Sequence, residues 1–178
     1  MRPQLICLLG AECTGKTTLA RDLANQLGSP WVPEYLRRFT ALHGRTPRQD
    51  EQNHILQEQC TLEEAALQLA RQQGKVWVVC DTAPLLTAVY SDCVFHDTSL
   101  YPQAWALHQR YALTLLLETG IPWVADGVQR DGEAMRTTVH ARLLQTLHQS
   151  ALPFVHIAGT GDQRLQAALD AVEHLASG

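Results

Sequence analysis

The sequence predicts an α/β fold, a five-stranded parallel sheet with helices on both faces, in one domain spanning 1–178. Three observations carry the prediction. Five short apolar runs alternate with stretches of helical periodicity, the pattern of linked βα units. The turn between the first run and the first helix reads Gly10-Ala11-Glu12-Cys13-Thr14-Gly15-Lys16-Thr17 and fits G-x-x-x-x-G-K-[ST]. Carboxylates stand at the ends of the second and third runs, at Glu34 and Asp81, where open α/β sheets bind their ligands.

Taken in order, Gln4 to Leu9 is the first strand, and the stretch from Thr18 carries Leu19, Leu23 and Leu27 at helical spacing. Gly28-Ser29-Pro30 stops that helix. Trp31-Val32 is a very short second strand, and Leu36, Phe39 and Leu42 mark a short helix after it. Residues 49–73 read as one long helix, with Ile55, Leu56, Leu62, Ala66 and Leu69 inward and Asp50, Glu51, Glu58, Glu63 and Arg71 outward. The third strand, Lys75 to Cys80, runs into Asp81-Thr82. A short helix is expected over 84–90, an irregular and mobile stretch over 91–102, and a helix over 104–111. The fourth strand covers 113–117 and a charged, glycine-punctuated segment covers 123–136. A helix follows over 136–149, then the fifth strand over 153–157, the turn Ala158-Gly159-Thr160-Gly161, and a last helix begun by Asp162 with Leu165, Leu169, Val172 and Leu175 inward.

The Gly10–Thr18 stretch has the chemistry of a phosphate-binding loop. Backbone N–H groups form an anion nest, and the helix starting near Lys16 adds its positive end. Lys16 is placed to reach the β- and γ-phosphates, and the Thr17 hydroxyl to ligate Mg²⁺. Gly10, Glu12, Cys13, Thr14, Gly15, Lys16, Thr17 and Thr18 are therefore the predicted seat of ATP. Asp81, after four apolar residues, reads as a Walker-B-like carboxylate or, alternatively, as a helix N-cap. Cys13 reads as a small residue tolerated in the loop, with a redox-sensitive thiol as the alternative.

With the loop, Glu34, Asp81-Thr82, Gln59 ahead of Leu62-Glu63-Glu64, Pro33-Glu34-Tyr35, and Trp123-Val124-Ala125-Asp126-Gly127 in place, the chain resembles a known family. It is similar over nearly its whole length to the ribosylnicotinamide kinase domain of the bacterial NadR proteins, an AAA-type kinase-like domain within the nucleoside and nucleotide kinase group of P-loop enzymes. The resemblance implies the sheet order 2-3-1-4-5 and transfer of phosphate from ATP to the 5′-hydroxyl of nicotinamide riboside, in NAD salvage. The nucleotidyltransferase and DNA-binding parts of NadR have no counterpart here, so adenylylation and repression are not carried over.

On that basis Glu34 would orient the acceptor hydroxyl and take its proton. Asp81 would bind either a ribose hydroxyl or metal-bound water. Residues 123–136 would form a lid, with Arg130 or Arg136 brought onto the developing charge. Tyr35 and Trp123 are candidates to stack on the acceptor base, Gln59 to hydrogen-bond it and Asp126 to bind the acceptor. Gly159 would pass near the donor adenine.

The formal charge of −4 argues against general nucleic-acid binding, and no apolar run nears the ~18 residues of a membrane span. Five cysteines without a C-x-x-C pair predict reduced thiols and a cytoplasmic protein. Eight scattered histidines predict no metal beyond Mg²⁺. A monomer or homodimer acting on a small nucleoside is expected. The competing readings are a kinase for another nucleoside and a nucleotide-dependent regulatory switch.

Overall fold

The fold is that of a computed structural model, which describes residues 2–120 and 132–177. The strands β1 (Gln4–Leu9), β2 (Trp31–Val32), β3 (Trp77–Asp81), β4 (Tyr111–Leu117) and β5 (Val155–Ile157) form one parallel sheet in the order β2-β3-β1-β4-β5. The predicted order is thus observed. Between the strands lie α1 (Lys16–Leu27), α2 (Tyr35–His43), α3 (Gln52–Gln72), α4 (Pro84–Phe95), α5 (Tyr101–His108) and α6 (Gly132–Gln149), with α7 (Asp162–Ser177) last. None of the helices among the described residues is long and apolar enough to cross a membrane.

Strand alternation divides the core into two layers. Leu5, Cys7, Leu9, Val78, Cys80 and Leu116 point to one face, under Leu56, Leu85, Val89, Ala104, Val139 and Leu143 of α3 to α6. Ile6, Leu8, Val79, Leu115, Leu117 and Ile157 point to the other, under Leu19, Leu23, Ala168 and Val172 of α1 and α7. Because helices cover both faces, the central strands read as unbroken apolar runs rather than alternating ones.

Four expectations are corrected. The stretch 91–102 is irregular only over 96–100: α4 continues to Phe95 and α5 begins at Tyr101. Within it Asp92 is partnered inside, accepting from the Tyr101 hydroxyl at 2.9 Å and lying 3.0 Å from Arg142 Nη1. The long helix is a 3₁₀ turn, Gln49–Glu51, followed by α3. Leu69 and Leu175, expected inward, are exposed. Glu63, expected outward, has no exposed surface. Its carboxylate accepts hydrogen bonds from Arg110 Nη2, from the Tyr111 hydroxyl at 2.7 Å and from Gln59 Nε2 at 3.4 Å. Three donors, from α3, the turn after α5 and the start of β4, are what let a carboxyl occupy the core.

Burial pushes the Glu63 carboxyl up from 4.5 to about 7 despite those donors. The folded state therefore holds a proton that the unfolded chain releases above pH 4.5, and stability declines as pH rises from there through 7. Denaturant titrations across that range should show this slope in the wild type and a flatter profile in Glu63→Gln. Arg110→Ala, which removes the cation and leaves the carboxyl buried, should lower the unfolding free energy at neutral pH by about 3 kcal/mol.

Candidate functional site

The register of the two central strands builds the site. β1 pairs with β3 so that Leu8 lies opposite Asp81, which brings the loop after β1 beside the carboxylate ending β3. The Thr17 hydroxyl donates to Asp81 Oδ2 at 2.6 Å. Asp81 is fully buried, and its Oδ1 has no hydrogen-bond partner among the described residues. A buried carboxylate oxygen left open beside a hydroxyl suits a hard, oxygen-preferring cation.

The loop itself is folded tightly. The Thr14 hydroxyl donates to the Ala11 carbonyl at 2.8 Å, and Lys16 Nζ donates to the same oxygen at 3.1 Å. A Cβ on Gly10 would meet Thr14 Oγ1 at 2.7 Å, so only glycine lets the loop fold back over that position. Backbone angles are left-handed at Cys13 (φ 52) and at Gly15 (φ 80), which caps α1. This curl gathers main-chain N–H groups into a concavity suited to phosphate. Residues Cys13 to Thr18 line that concavity together with Arg37 from α2.

Glu34 occupies the position just before α2, beyond β2, without a side-chain capping bond, and is 9% exposed. Arg37 Nε lies 3.4 Å from its Oε2. Burial pushes the Glu34 carboxyl above its ordinary value, with Lys16 acting against that shift and the like charge of Asp81 adding to it. Glu34 also borders a groove lined by Gln52, Gln59, Thr82, Leu86, Thr87 and Tyr90. The groove continues past Leu36, Gln52 and Tyr90 to Glu12, Val94 and Phe95. One carboxylate therefore stands between a polyanion seat and a separate half-apolar groove.

The other predicted site residues take the following positions. The Tyr35 ring meets His54 edge-on at 5.9 Å between centroids, and Tyr90 and Phe95 are aromatics that border the groove. Gln59 is engaged at both ends of its amide: Oε1 accepts from Tyr35 N at 2.9 Å and Nε2 donates to Glu63. It thus ties the backbone beside Glu34 to the buried Glu63 network. Arg136 is buried at the start of α6 and donates to the Thr119 carbonyl at 2.6 Å, after β4. Trp123, Asp126 and Arg130 lie outside the described residues.

Sequence reasoning missed Arg164. This residue in the first turn of α7 is 4% exposed. Its guanidinium donates to the Gly159 carbonyl at 2.6 Å, to the Glu118 carbonyl at 2.9 Å and to the Thr14 carbonyl. It fastens together the loops that leave β5, β4 and β1. The available signal was spacing, since Arg164, Ala168 and Val172 recur every four residues on the buried face of α7.

Arg164→Ala should weaken nucleotide binding about tenfold and lower stability by about 3 kcal/mol, because three carbonyls lose a charged donor. Arg164→Lys should restore little, since an ammonium cannot fork across three acceptors. Nucleotide titration of each variant alongside its thermal denaturation checks both parts.

Comparison with known proteins agrees with this fold. The AAA domain family AAA_28 matches residues 5–164. The NadR trifunctional NAD biosynthesis/regulator protein of Salmonella typhimurium is 26% identical over 155 residues, which are 85% of this chain and 37% of that protein. The chain thus spans well under half the length of that relative. A crystal structure of NadR protein in complex with NR superposes with a TM-score of 0.79 at 22% identity, covering 99% of this chain and 52% of the other. Deoxyadenosine kinase from M. mycoides shares the fold across its whole length, with a TM-score of 0.64, 15% identity and 98% of this chain covered. With a phosphate-binding loop, a sheet in the order β2-β3-β1-β4-β5 and a family match across most of its length, this chain belongs to the AAA domain family AAA_28.

Proposed function

We propose that the chain is an ATP-dependent nucleoside kinase that phosphorylates the 5′-hydroxyl of nicotinamide riboside to give nicotinamide mononucleotide. The observation that carries this reading is Glu34, a buried carboxylate at the junction of the phosphate concavity and the groove. A protein that only hydrolysed or sensed nucleotide has little use for a second groove next to such a group. The likeness to NadR, with its NR complex, supports the choice of acceptor.

Phosphoryl transfer asks mainly for alignment and charge neutralisation. The loop amides and Lys16 hold the β- and γ-phosphates, for which Lys16 must leave the Ala11 carbonyl. Arg37, already at the edge of the concavity, adds positive charge there. Thr17 and Asp81 would hold Mg²⁺, which when bound offsets the charge of the phosphates. Glu34 receives the hydrogen bond of the acceptor hydroxyl and takes its proton as the bond to phosphorus forms. Its raised affinity for protons suits that task. Gln59 holds the Tyr35 amide and so fixes the backbone on which Glu34 stands. The turn at Gly159 borders the adenine, and 123–136, with Arg130 or Arg136, serves as a lid that excludes water. The whole is one catalytic domain working in the cytoplasm.

Turnover of Mg·ATP against nicotinamide riboside, a panel of other nucleosides and no acceptor, with products identified by mass, tests this. Formation of nicotinamide mononucleotide with little acceptor-free ADP is expected. Transfer to a different nucleoside would replace the substrate, and hydrolysis without any acceptor would overturn the kinase assignment. Glu34→Gln should lower kcat by about 10²–10⁴-fold. In the wild type, kcat/KM should fall as pH drops through a value above the ordinary carboxyl 4.5, because the base is lost when Glu34 takes up its proton. Glu34→Gln should lack that acid limb.

A further inference from the structure

Thr82 has a backbone φ of 107, a conformation that L side chains rarely adopt and a β-branched one least of all. Its neighbours impose it. Asp81 is held at the end of β3 by the sheet and by Thr17. Ala83 is extended, at φ −152 and ψ 161, as expected of a residue before proline, and Pro84 opens α4. The chain has one residue in which to turn from the strand to the helix. Glycine would make that turn without strain. The sequence places threonine there instead, and strain kept at such a position points to a use for the side chain.

The surroundings indicate the use. Thr82 is 4% exposed and borders the groove next to Glu34. Its hydroxyl makes no hydrogen bond to any described residue. The hydroxyl is not among the sealed unpartnered atoms of the described residues, so at the wall of the groove it is open to a ligand that offers it a hydrogen bond.

We propose that Thr82 is a direct acceptor-binding residue whose hydroxyl hydrogen-bonds a sugar hydroxyl of the nucleoside, holding the acceptor beside Glu34. The assignment rests on the kinase reading given above and deepens it: the groove selects polyhydroxylated acceptors through Thr82. A site built to bond a substrate hydroxyl rejects analogues that lack it far more strongly than an apolar wall would.

Three variants and a pair of acceptors test this in the intact chain. Thr82→Val keeps the shape and removes the hydroxyl. It should raise the acceptor KM at least tenfold and leave the ATP KM within twofold. Thr82→Ser should recover most of that loss. Thr82→Gly should melt at a higher temperature than wild type, because the strain is gone, yet show the same acceptor defect. Acceptors lacking the 2′- or 3′-hydroxyl should lose kcat/KM with the wild type; for one of them Thr82→Val should add no further loss. Wild-type acceptor KM in Thr82→Val or in Thr82→Gly, or fully additive losses with both deoxy analogues, would overturn the assignment while leaving the kinase intact. Absence of phosphorylated product from every nucleoside with the wild type would instead overturn the kinase reading, and this assignment with it.

Discussion

The parallel pairing of β1 with β3 is the constraint on which the rest depends. It sets Leu8 against Asp81, so the strand that launches the phosphate loop and the strand that ends in a carboxylate finish level. The 2.6 Å bond from Thr17 to Asp81 is a consequence of that register. A one-residue slip would send every β3 side chain to the opposite face and take Asp81 away from the loop. The two apolar layers resist such a slip, because Val78 and Cys80 are committed to one and Val79 to the other.

Around this axis the charged groups are arranged by burial and pairing rather than by number. Lys16, Glu34, Asp81 and Arg37 converge within a net-negative chain, and two of the three carboxylates involved in or behind the site, Asp81 and Glu63, are wholly enclosed. The low local dielectric makes each contact stronger and each unpaired atom more costly. Glu63 is the hidden end of this system. Through Gln59 it reaches the backbone beside Glu34, so a residue of the core helps to set the geometry of the groove.

What was legible in the sequence is what depends on near neighbours. The phosphate loop is a contiguous motif, and the strands declare themselves as apolar runs; both needed only local chemistry. Glu34 and Asp81 could be placed because strand ends can be placed. Glu63 was misread because its partners Arg110 and Tyr111 lie more than forty positions away and no periodicity announces them. Asp92 looked like a loop residue for the same reason: Tyr101 and Arg142, on other helices, are what allow α4 to carry it. Tyr35 was a candidate to stack on the acceptor base; its ring lies edge-on to His54, a contact nineteen positions away that the sequence does not announce. The strain at Thr82 was invisible because it arises from the junction of a fixed strand end with a proline-started helix.

Arg164 gives the molecule a temporal property. The phosphate loop is complete as a motif by Thr17, but the arginine that fastens its Thr14 carbonyl to the exits of β4 and β5 lies 150 positions later. On a ribosome adding about 5–20 residues each second, that separation is on the order of ten seconds. For that interval a nascent chain carries the motif without the brace that unites three strand exits. Nucleotide can therefore favour the finished fold, but it cannot guide the early steps of synthesis through this contact.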